Sequence, residues 1–538
     1  MKKGYCFFLF FIVICFGNSY SQQLNYTLSR DFLWGIDDYY NSKDQNFQTF
    51  VKPLRYADIN KITDSTAQFP HLSLKKRTEE KSNKKNKFEL EIAPLLTAEG
   101  GYQASSSSRV TSDFAIGGNL VCNWGDKFSI NFKALAGKAT YNSSMDSIIK
   151  QTHVIPGIGY AYRANHDSLN PKYAYQYYSG YLSYSPNKVF NFQIGQDKQF
   201  WGDGYRSLFL SDVSAPYPFM KITTNVWHLT YVNLYTIMKD VTNPSGMKSD
   251  WLNKYATFHY LGWNITKRLN VGLFESVVWQ GSDSTRHRGY DINYLNPVMF
   301  FRPGEYSVGS PDNSVIGASF KIKAFKKQQF YGQLIIDEFI LNDVKADIKH
   351  ALLNNNAVKW GWWGNKQGFQ LGFKSFDLFK IAHLNFQTEY NYVRPYTYSE
   401  GNVQSNYGHF NQPLAHPLGA NFWEECSFVN YRIKRFFIEA KFIYAIYGAD
   451  SAGTDYGKNI FISYTNRPSE YHNITTQGFQ TRLITSSLRV ACVLVPQMNF
   501  KIELGMEDRI QETNYSKTQI PYIFFGIRTD LGNLYSDF

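Results

Sequence analysis

Residues 381–392, IAHLNFQTEYNY, alternate between two kinds of side chain along their whole length. One set of alternate positions is mostly apolar or aromatic and comprises Ala382, Leu384, Phe386, Thr388, Tyr390 and Tyr392. The other set is polar after its first residue and comprises Ile381, His383, Asn385, Gln387, Glu389 and Asn391. A period of two is typical of a β-strand whose two faces have different surroundings. We therefore predict a strand with one apolar and one polar face.

Residues 498–507, MNFKIELGME, show the same alternation, and similar segments recur from residue 88 onward. A soluble β-sandwich can hold one such strand with its polar face in water. Many strands of about ten residues that are rich in aromatic side chains favour a barrel with a polar lumen and a lipid-facing exterior. We predict an all-β fold, a transmembrane antiparallel outer-membrane β-barrel of about 18 strands, because single-chain bacterial barrels have even strand numbers.

The amino-acid composition agrees with a barrel. Aromatic residues make up 17% of the 538 residues, with 40 Tyr and 43 Phe. The mean hydropathy of −0.38 does not exclude a membrane protein, because alternating strands average lipid-facing and lumen-facing residues. The net charge of +12 favours anionic lipid or acidic glycan over nucleic acid as the partner of an exported barrel.

The N-terminus has the pattern of an export signal. Lys2 and Lys3 precede an apolar stretch at residues 5–16, and residues 19–21 offer a small-x-small cleavage site. Lipidation of Cys15 is disfavoured, because Ile14 stands where lipoprotein processing needs a small residue. We predict a signal peptide at 1–21, an N-terminal periplasmic or plug segment at 22–87 and the barrel at 88–538.

The segment 22–87 lacks the alternation of the barrel. Residues 29–41 and 54–67 are predicted to form short helices, and the charged run 75–87 is interpreted as a solvated linker in preference to a binding arm. At the other end, residues 520–538, IPYIFFGIRTDLGNLYSDF, form a strand pattern that runs into a terminal Phe. We predict the final strand at 520–531 and expect the insertion machinery to read this C-terminal strand.

The connections between the predicted strands alternate between short and long. Bacterial barrels have short periplasmic turns and long outer loops. The sequence therefore predicts periplasmic turns at 267–268, 326–327, 434–435 and 496–497. It predicts outer loops at 280–314, 342–366, 394–421, 448–478 and 508–519.

Six sequence blocks, taken together and in order, resemble the Wzi-like family of capsule-assembly outer-membrane barrels. They are GQDKQFWGDGYRSLFLSD (195–212), YLNPVMFFRP (294–303), GSPDN (309–313), GQLIIDEF (332–339), KWGWWG (359–364) and HFNQPLAHP (409–417). The resemblance is strongest to the Bacteroidetes branch of the family, which carries the gliding-motility label RemB. It implies a barrel with an N-terminal helical plug that attaches capsular polysaccharide without catalysis, or that serves surface motility. Gln199 and Asp203 match the RemB-like side, so the fold carries over more safely than the ligand.

The chemistry of the same blocks suits a glycan, because sugar C–H faces pack on aromatic rings and hydroxyl groups pair with charged and amide side chains. The candidate glycan-binding residues are Asp197, Trp201, Asp203, Tyr205, Arg206, Asp312, Asn313, Trp360, Trp362 and Trp363. Gly202 and Gly204 would let the backbone approach a ligand closely. The alternative interpretation is structural, with the aromatic block as a rim turn and Asp203 and Arg206 as an internal ion pair.

Enzyme, metal and cofactor signals are absent from the sequence. It contains no GxSxG nucleophile motif, HExxH motif or phosphate-binding loop. His409 and His416 lack metal-pair spacing and are interpreted as ordinary loop histidines, and Cys122, Cys426 and Cys492 form no disulfide framework. We predict no catalysis, metal or cofactor.

The expected partners are outer-membrane lipid, surface polysaccharide and motility or envelope proteins. A porin-like solute channel is the alternative function, and an outer-membrane hydrolase is a less favoured one. If the N-terminal segment folds into the lumen, passive conductance should be small.

Overall fold

A computed structural model describes residues 23–42, 46, 48–60, 88–105, 108–167, 169–241, 247–282, 288–300, 312–338, 340–353, 359–451, 453–495, 499–529 and 532–538. The predicted signal peptide, the charged run 75–87 and the turn 496–497 lie outside these residues. So do parts of three family-like blocks, namely residues 301–303, residues 309–311 and residue 339. No helix among the described residues has both the length and the apolar character needed to cross a membrane.

The described strands close into one antiparallel barrel of 18 strands, as predicted. Their bounds are β1 Phe88–Gln103, β2 Arg109–Trp124, β3 Phe128–Thr140, β4 Tyr173–Tyr184, β5 Phe190–Asp197, β6 Tyr217–Val226, β7 Leu229–Asp240, β8 Leu252–Asn264, β9 Leu269–Gln280, β10 Asn313–Ala324, β11 Gln328–Glu338, β12 Lys366–Ser375, β13 Leu384–Val393, β14 Phe422–Ile433, β15 Phe436–Ala449, β16 Phe479–Val495, β17 Phe500–Thr513 and β18 Lys517–Thr529. The barrel closes where β18 pairs with β1, from Thr97 opposite Arg528 to Gln103 opposite Tyr522.

Helices and short strands occupy the connections and the N-terminal segment. The helices are α1 Arg30–Ser42, α2 Tyr56–Asn60, α3 Ser143–Thr152 and α4 Leu341–Leu353. The helix predicted at 29–41 is confirmed as α1. The one predicted at 54–67 is described only in part, as α2. Short strand pairs join Val51–Lys52 to Phe200–Trp201 and Val154–Ile155 to Gly159–Tyr160, and Tyr162–Arg163 extends the edge of β4.

The two faces of each strand have the predicted surroundings. On β13 the polar set, Asn385, Gln387, Glu389 and Asn391, is buried in the lumen. The exterior is apolar, as shown on β1 and β2, where Ile92 is 69% exposed and Phe114 is 59% exposed. A barrel with this exterior presents a lipid-facing surface.

The connections alternate between the two ends of the barrel as predicted. Short turns such as 434–435 lie at one end, called here the short-turn end, and the long connections leave from the other, called the long-loop end. The predicted loop 508–519 is wrong in extent, because pairing of β17 with β18 continues to Glu512 and Lys517 and leaves only the turn 514–516. Contacts between neighbouring strands support the longer ladder, since Gln519 donates a hydrogen bond to Asp508 at 2.8 Å and Arg482 on β16 pairs with Glu512 at 3.2 Å.

The predicted outer loop 280–314 is also corrected. Its described part, residues 288–300, lies against the outside of the barrel wall at β7–β9, where Tyr235 on β7 donates a hydrogen bond to the carbonyl of Leu295. Outward-facing polar side chains on these strands hold it there.

The chain also ends differently from the prediction. The last strand stops at Thr529, and Phe538 packs inside the lumen instead of forming the end of that strand. Residues 532–538, called the C-terminal tail, turn inward because their polar side chains find charged partners there.

The N-terminal segment occupies the lumen at the short-turn end. Asp37 of α1 contacts Lys374 at 2.6 Å, and Asp31 contacts Lys501 at 2.9 Å. Asn41 donates a hydrogen bond to the carbonyl of Lys326 in the turn 325–327. Lumen-facing charges of the barrel wall thus hold α1 as a plug.

The alternation of connections predicts which sites are reachable from outside. We expect an epitope inserted at Gly453 to be labelled on intact cells and one at Lys434 to be labelled only after permeabilisation. A Cβ at Gly453 would meet no atom within 4 Å, so the site has room. Antibody binding to whole and permeabilised cells measures the difference, and labelling of intact cells at Lys434 alone would invert the orientation.

Candidate functional site

The connection between β5 and β6, residues 198–216, enters the lumen and is called the inner loop. Trp201 is fully buried and meets Phe258 edge-on, with ring centres 6.1 Å apart. Phe209 stacks on Phe274 at 4.4 Å. Together with lumen-facing apolar side chains of β6–β9, these rings form a dry core across the middle of the barrel.

Glycine lets the inner loop approach the barrel wall. A Cβ at Gly204 would lie 2.1 Å from a carboxylate oxygen of Glu389 on β13. That carboxylate accepts hydrogen bonds from the backbone N–H groups of Tyr205, at 2.7 Å, and Arg206, at 3.0 Å. The close approach expected at Gly204 is therefore to the barrel wall.

Arg206 is the centre of a buried charge network. Its guanidinium donates to both carboxylate oxygens of Glu424 on β14, at 3.1 and 3.0 Å, and lies 3.0 Å from Asp537. Asp537 also contacts Lys441 on β15 at 2.7 Å and accepts a hydrogen bond from the hydroxyl of Tyr205. Burial by itself would raise the pKa of Asp537, but Arg206 and Lys441 hold that pKa well below its usual range.

Asp203 joins the inner loop to the N-terminal segment and the wall. It accepts a hydrogen bond from Thr49 and lies 3.4 Å from Lys321 on β10. Lys52 donates to the carbonyl of Gly202. Burial favours the neutral form of Asp203, yet the charges of Lys321 and Lys52 keep its pKa below the ordinary value.

The C-terminal tail also contacts the inner loop. Tyr535 and Asn533 donate hydrogen bonds to Asp212 of the inner loop, at 2.7 and 3.0 Å. Tyr205 and Tyr535 pack with ring centres 5.5 Å apart. Among the described residues, the segments that fill the lumen are thus α1 with its flanking residues, the inner loop, the C-terminal tail and the connection 394–421, whose Tyr398 and Leu414 belong to the same core.

Beside this filling lies a cavity of about 510 Å³. It runs between the internal segments and the wall formed by β1–β3 and β16–β18. Its lining carries charges of both signs from the barrel wall, including Glu99, Asp113, Lys133, Glu507 and Arg528. A space of this size and polarity suits water, ions or a small polar solute.

A second candidate site lies at the long-loop end, where connection 339–365 meets connection 450–478. The N–H of Trp363 donates to the carbonyl of Glu470 at 3.0 Å, and the N–H of His472 donates to the carbonyl of Trp360 at 2.9 Å. Gly361 has a φ of +67° and its N–H donates to Asp347 at 2.6 Å. Backbone hydrogen bonds between two loops therefore fix the position of the aromatic side chains.

The rings at this site are partly exposed and accompanied by charges. Arg467 lies over the ring of Trp363 at 4.1 Å, and Tyr464 packs on that ring at 4.6 Å. Trp362 lies 5.9 Å from Trp363, and Trp360 stacks on His350 at 3.9 Å. Trp360, Trp362, Trp363 and Tyr464 are called here the outer aromatic cluster.

The structure separates the predicted site residues into three places. Four of them lie in the lumen, where their side chains contact other internal residues: Trp201, Asp203, Tyr205 and Arg206. This agrees with the structural interpretation except for the predicted ion pair between Asp203 and Arg206. Arg206 pairs instead with Glu424 and Asp537, and Asp203 pairs with Lys321. Asp197 lines the cavity with Tyr205. Asp312 and Asn313 stand at the start of β10, where Arg288 contacts Asp312 at 2.8 Å and Asn313 is fully buried. Trp360, Trp362 and Trp363 alone remain together at an exposed end.

The two loop histidines are buried and contact protein groups. The ring of His409 accepts a hydrogen bond from the N–H of Lys239 at 2.9 Å, and burial lowers the pKa of His409 to about 3. His416 contacts Glu424 at 2.7 Å.

Two features of the site were not predicted from the sequence. One is the role of the tail residues Tyr535 and Asp537. The other is the position of connection 394–421, which was predicted as an outer loop but lies inside the barrel, where the Tyr398 hydroxyl donates to the carbonyl of Leu208. A signal was present in that connection, because Leu414 and its apolar neighbours are unusual for a solvated loop.

Comparisons with known proteins place the fold. No family model matches the sequence, and no curated protein sequence matches it. Among solved structures, Wzi of Escherichia coli is similar over 95% of this chain and 100% of its own, with 12% identity and a TM-score of 0.56. Wzi is an outer-membrane protein involved in group 1 capsule assembly and a carbohydrate-binding β-barrel. OprD of Pseudomonas aeruginosa matches 82% of this chain and 94% of its own, with 10% identity and a TM-score of 0.41.

Proposed function

We propose that this chain is a non-catalytic outer-membrane β-barrel that attaches or assembles surface polysaccharide at its long-loop end, for capsule retention or for RemB-like gliding motility and adhesion. The observation that carries the proposal is that the chain fills its own lumen while it holds the outer aromatic cluster at the long-loop end. A filled lumen favours binding over bulk transport. The likeness to Wzi, a carbohydrate-binding barrel, supports the same class.

The proposed location is the outer membrane, with the long-loop end outside the cell. The apolar exterior and the predicted signal peptide support export and insertion. In this orientation α1 faces the periplasm, where motility or envelope partner proteins would reach it. The short turns and the plug would then form the periplasmic face.

The outer aromatic cluster has the chemistry for sugar rings. Trp360 and Trp362 are partly exposed and offer ring surface to C–H groups. Arg467 and Glu470, which contact each other and Trp363, supply charged partners for hydroxyl or acidic substituents. Because both signs of charge are present, the cluster fits neutral or acidic sugars better than an apolar ligand.

The test is binding of surface polysaccharide extracted from the producing cells to the purified protein. Replacing Trp360, Trp362 and Trp363 together with alanine should reduce binding at least about 10-fold, since stacking losses of about 0.5–1.5 kcal/mol for each ring add up. Equilibrium binding on immobilised protein measures the loss.

Trp227→Ala is the matched control, because Trp227 is 78% exposed at the short-turn end. We expect Trp227→Ala to bind like the wild type. Equal affinity of the triple variant and this control would remove the cluster from the proposed site.

The second candidate function is a narrow solute channel. The cavity of about 510 Å³ favours it, since its charged lining runs beside the plug along β1–β3. A channel of this kind would pass ions or small solutes without any role for the outer aromatic cluster. Conductance of the wild-type protein therefore distinguishes the two functions.

A further inference from the structure

The outer wall of the barrel has an unusual polar region at β7–β9. Asn233, Thr257, His259 and Glu275 are at most 5% exposed and lie on the outward face of these strands, with Ile237 and other lipid-facing residues. The inward face is fixed by Val232, Leu234, Phe258 and Phe274, which belong to the lumen core. Polar side chains facing hydrocarbon are costly unless something pairs with them.

Residues 288–300, called the strap, cover this polar region from outside. The hydroxyl of Tyr235 donates to the carbonyl of Leu295, and that of Thr257 donates to the carbonyl of Tyr294, both at 3.1 Å. Tyr231 donates to the carbonyl of Pro297.

Two further contacts complete the pairing beneath the strap. Glu275 accepts the N–H of Phe300 at 2.7 Å. His259 and Asn233 contact each other at 2.6 Å. Four side chains of the wall thus serve as hydrogen-bond partners for strap backbone, namely Tyr231, Tyr235, Thr257 and Glu275, whereas His259 and Asn233 pair with each other.

This pairing is what an irregular segment needs inside a bilayer. Backbone N–H and C=O groups find no water there, and non-helical backbone survives only where protein satisfies it. The contacts run from the level of Ile237, opposite Tyr255, down to Tyr231, opposite Leu261. Six residues cover about 20 Å along the strand. For a strand tilted by about 40° this is about 15 Å of membrane depth, or more than half of an apolar band about 25 Å tall.

The free side of the strap is mostly apolar, with Asn293 as an exposed polar residue near its tied end. Ile292 is 78% exposed, Val298 58% and Phe300 42%. The adjacent wall continues the same surface, with Trp263 42% and Leu273 44% exposed. The strap therefore covers the polar region of the wall and presents an apolar surface like that of the adjacent wall.

The first part of the strap is tied at the long-loop end. Arg288 contacts Asp291 and Asp312, each at 2.8 Å, and the Tyr294 hydroxyl donates to Asp312 at 2.6 Å. Tyr290 packs edge-on against Trp279 with ring centres 5.1 Å apart. The charged groups lie where the connection leaves the wall, and the apolar residues lie further down it.

We propose that the strap is a membrane-embedded segment whose outer side binds lipid hydrocarbon, and that the polar side chains of β7–β9 exist to satisfy its backbone. Lipid is the occupant because the strap's apolar side chains are continuous with the lipid-facing wall on both sides. The connection between β9 and β10 then adds a lipid-contacting surface instead of an aqueous loop. This inference is independent of polysaccharide binding.

The test uses spin labels on the full-length protein in phosphatidylcholine vesicles, with Cys122 and Cys492 replaced by alanine. Labels are placed at Val298→Cys in the strap, Leu273→Cys on the lipid-facing wall and Tyr515→Cys in an exposed turn. Oxygen, which concentrates in lipid, and a water-soluble nickel chelate compete as relaxation agents. We expect the oxygen-to-nickel ratio at Val298 to match Leu273 and to exceed Tyr515 several-fold.

Two outcomes would overturn the proposal. A ratio at Val298 equal to that at Tyr515 would place the strap in water. Low accessibility of Val298 to both agents would mean that protein covers it, as in contact between two copies. A variant with Tyr231→Phe, Tyr235→Phe and Glu275→Leu gives a second measurement, because it removes two donors and one acceptor of the strap backbone. Loss of these partners should raise nickel accessibility at Val298, whereas Tyr444→Phe on another part of the wall should not. An unchanged ratio in the triple variant would contradict the assigned role of the wall residues.

Discussion

Arg206→Ala should destabilise the filled lumen by about 3–5 kcal/mol, the cost of leaving buried charges without their partner. The side chain of Arg206 is 1% exposed and that of Glu424 is 0% exposed, so water cannot take over the missing contacts. Asp537 would keep Lys441 but lose its second cation. Unfolding of the purified barrel in urea, followed by tryptophan fluorescence, measures the change.

The control is Arg482→Ala, which removes an ion pair with Glu512 whose side chains are 48% and 38% exposed. An exposed pair contributes about 0–1 kcal/mol, so this variant should unfold close to the wild type. Arg206→Lys should fall between the two, because lysine keeps the charge but loses the two-pronged contact with Glu424. Equal unfolding midpoints for Arg206→Ala and Arg482→Ala would contradict a structural role for the network.

Replacing the inner loop 198–216 by Asn-Gly should convert a barrel of low conductance into an open channel. The design is feasible because Asp197 and Tyr217 are paired directly across β5 and β6, so a two-residue turn can join them. Barrels of 16–18 strands leave an aqueous channel when nothing fills them. Single-channel recording in planar bilayers measures the change, and we expect little current from the wild type and porin-like steps from the variant.

The same variant separates the two candidate functions. The outer aromatic cluster is held by connections 339–365 and 450–478, so polysaccharide binding should survive loss of the inner loop. Porin-like current in the wild type would favour the channel over the attachment function. A closed variant would show that α1 and the C-terminal tail seal the barrel without the inner loop.

The strands were predictable because each one carries its own evidence. Successive side chains of a strand point alternately to lipid and to the lumen. Twelve residues such as 381–392 are therefore enough to show both faces. The alternation of turns and loops follows from the lengths of the connections between such segments. The strand number needed the count of segments together with the even strand number of single-chain bacterial barrels. The sequence evidence for helix α1 also lies within its own residues, because they lack the two-residue period.

The position of the inner loop was not predictable in this way. Lumen-facing Glu389 and Glu424 look the same in sequence whether they face water or protein. Their partners Tyr205 and Arg206 lie 184 and 218 residues away along the chain. The block 195–212 was accordingly predicted as a glycan contact or a rim turn, while the structure puts it inside the barrel.

The position of Phe538 inside the barrel was likewise not predictable from the sequence. The strand pattern of 520–529 was read correctly, but nothing in residues 530–538 reveals that Asp537 will pair with Arg206 and Lys441. The sequence by itself determined the barrel, because strand alternation is a local property of a chain placed between lipid and a polar interior. Only the tertiary structure decided which loops fill that interior and which one lies on the wall, because buried charges and backbone groups choose partners by proximity in space.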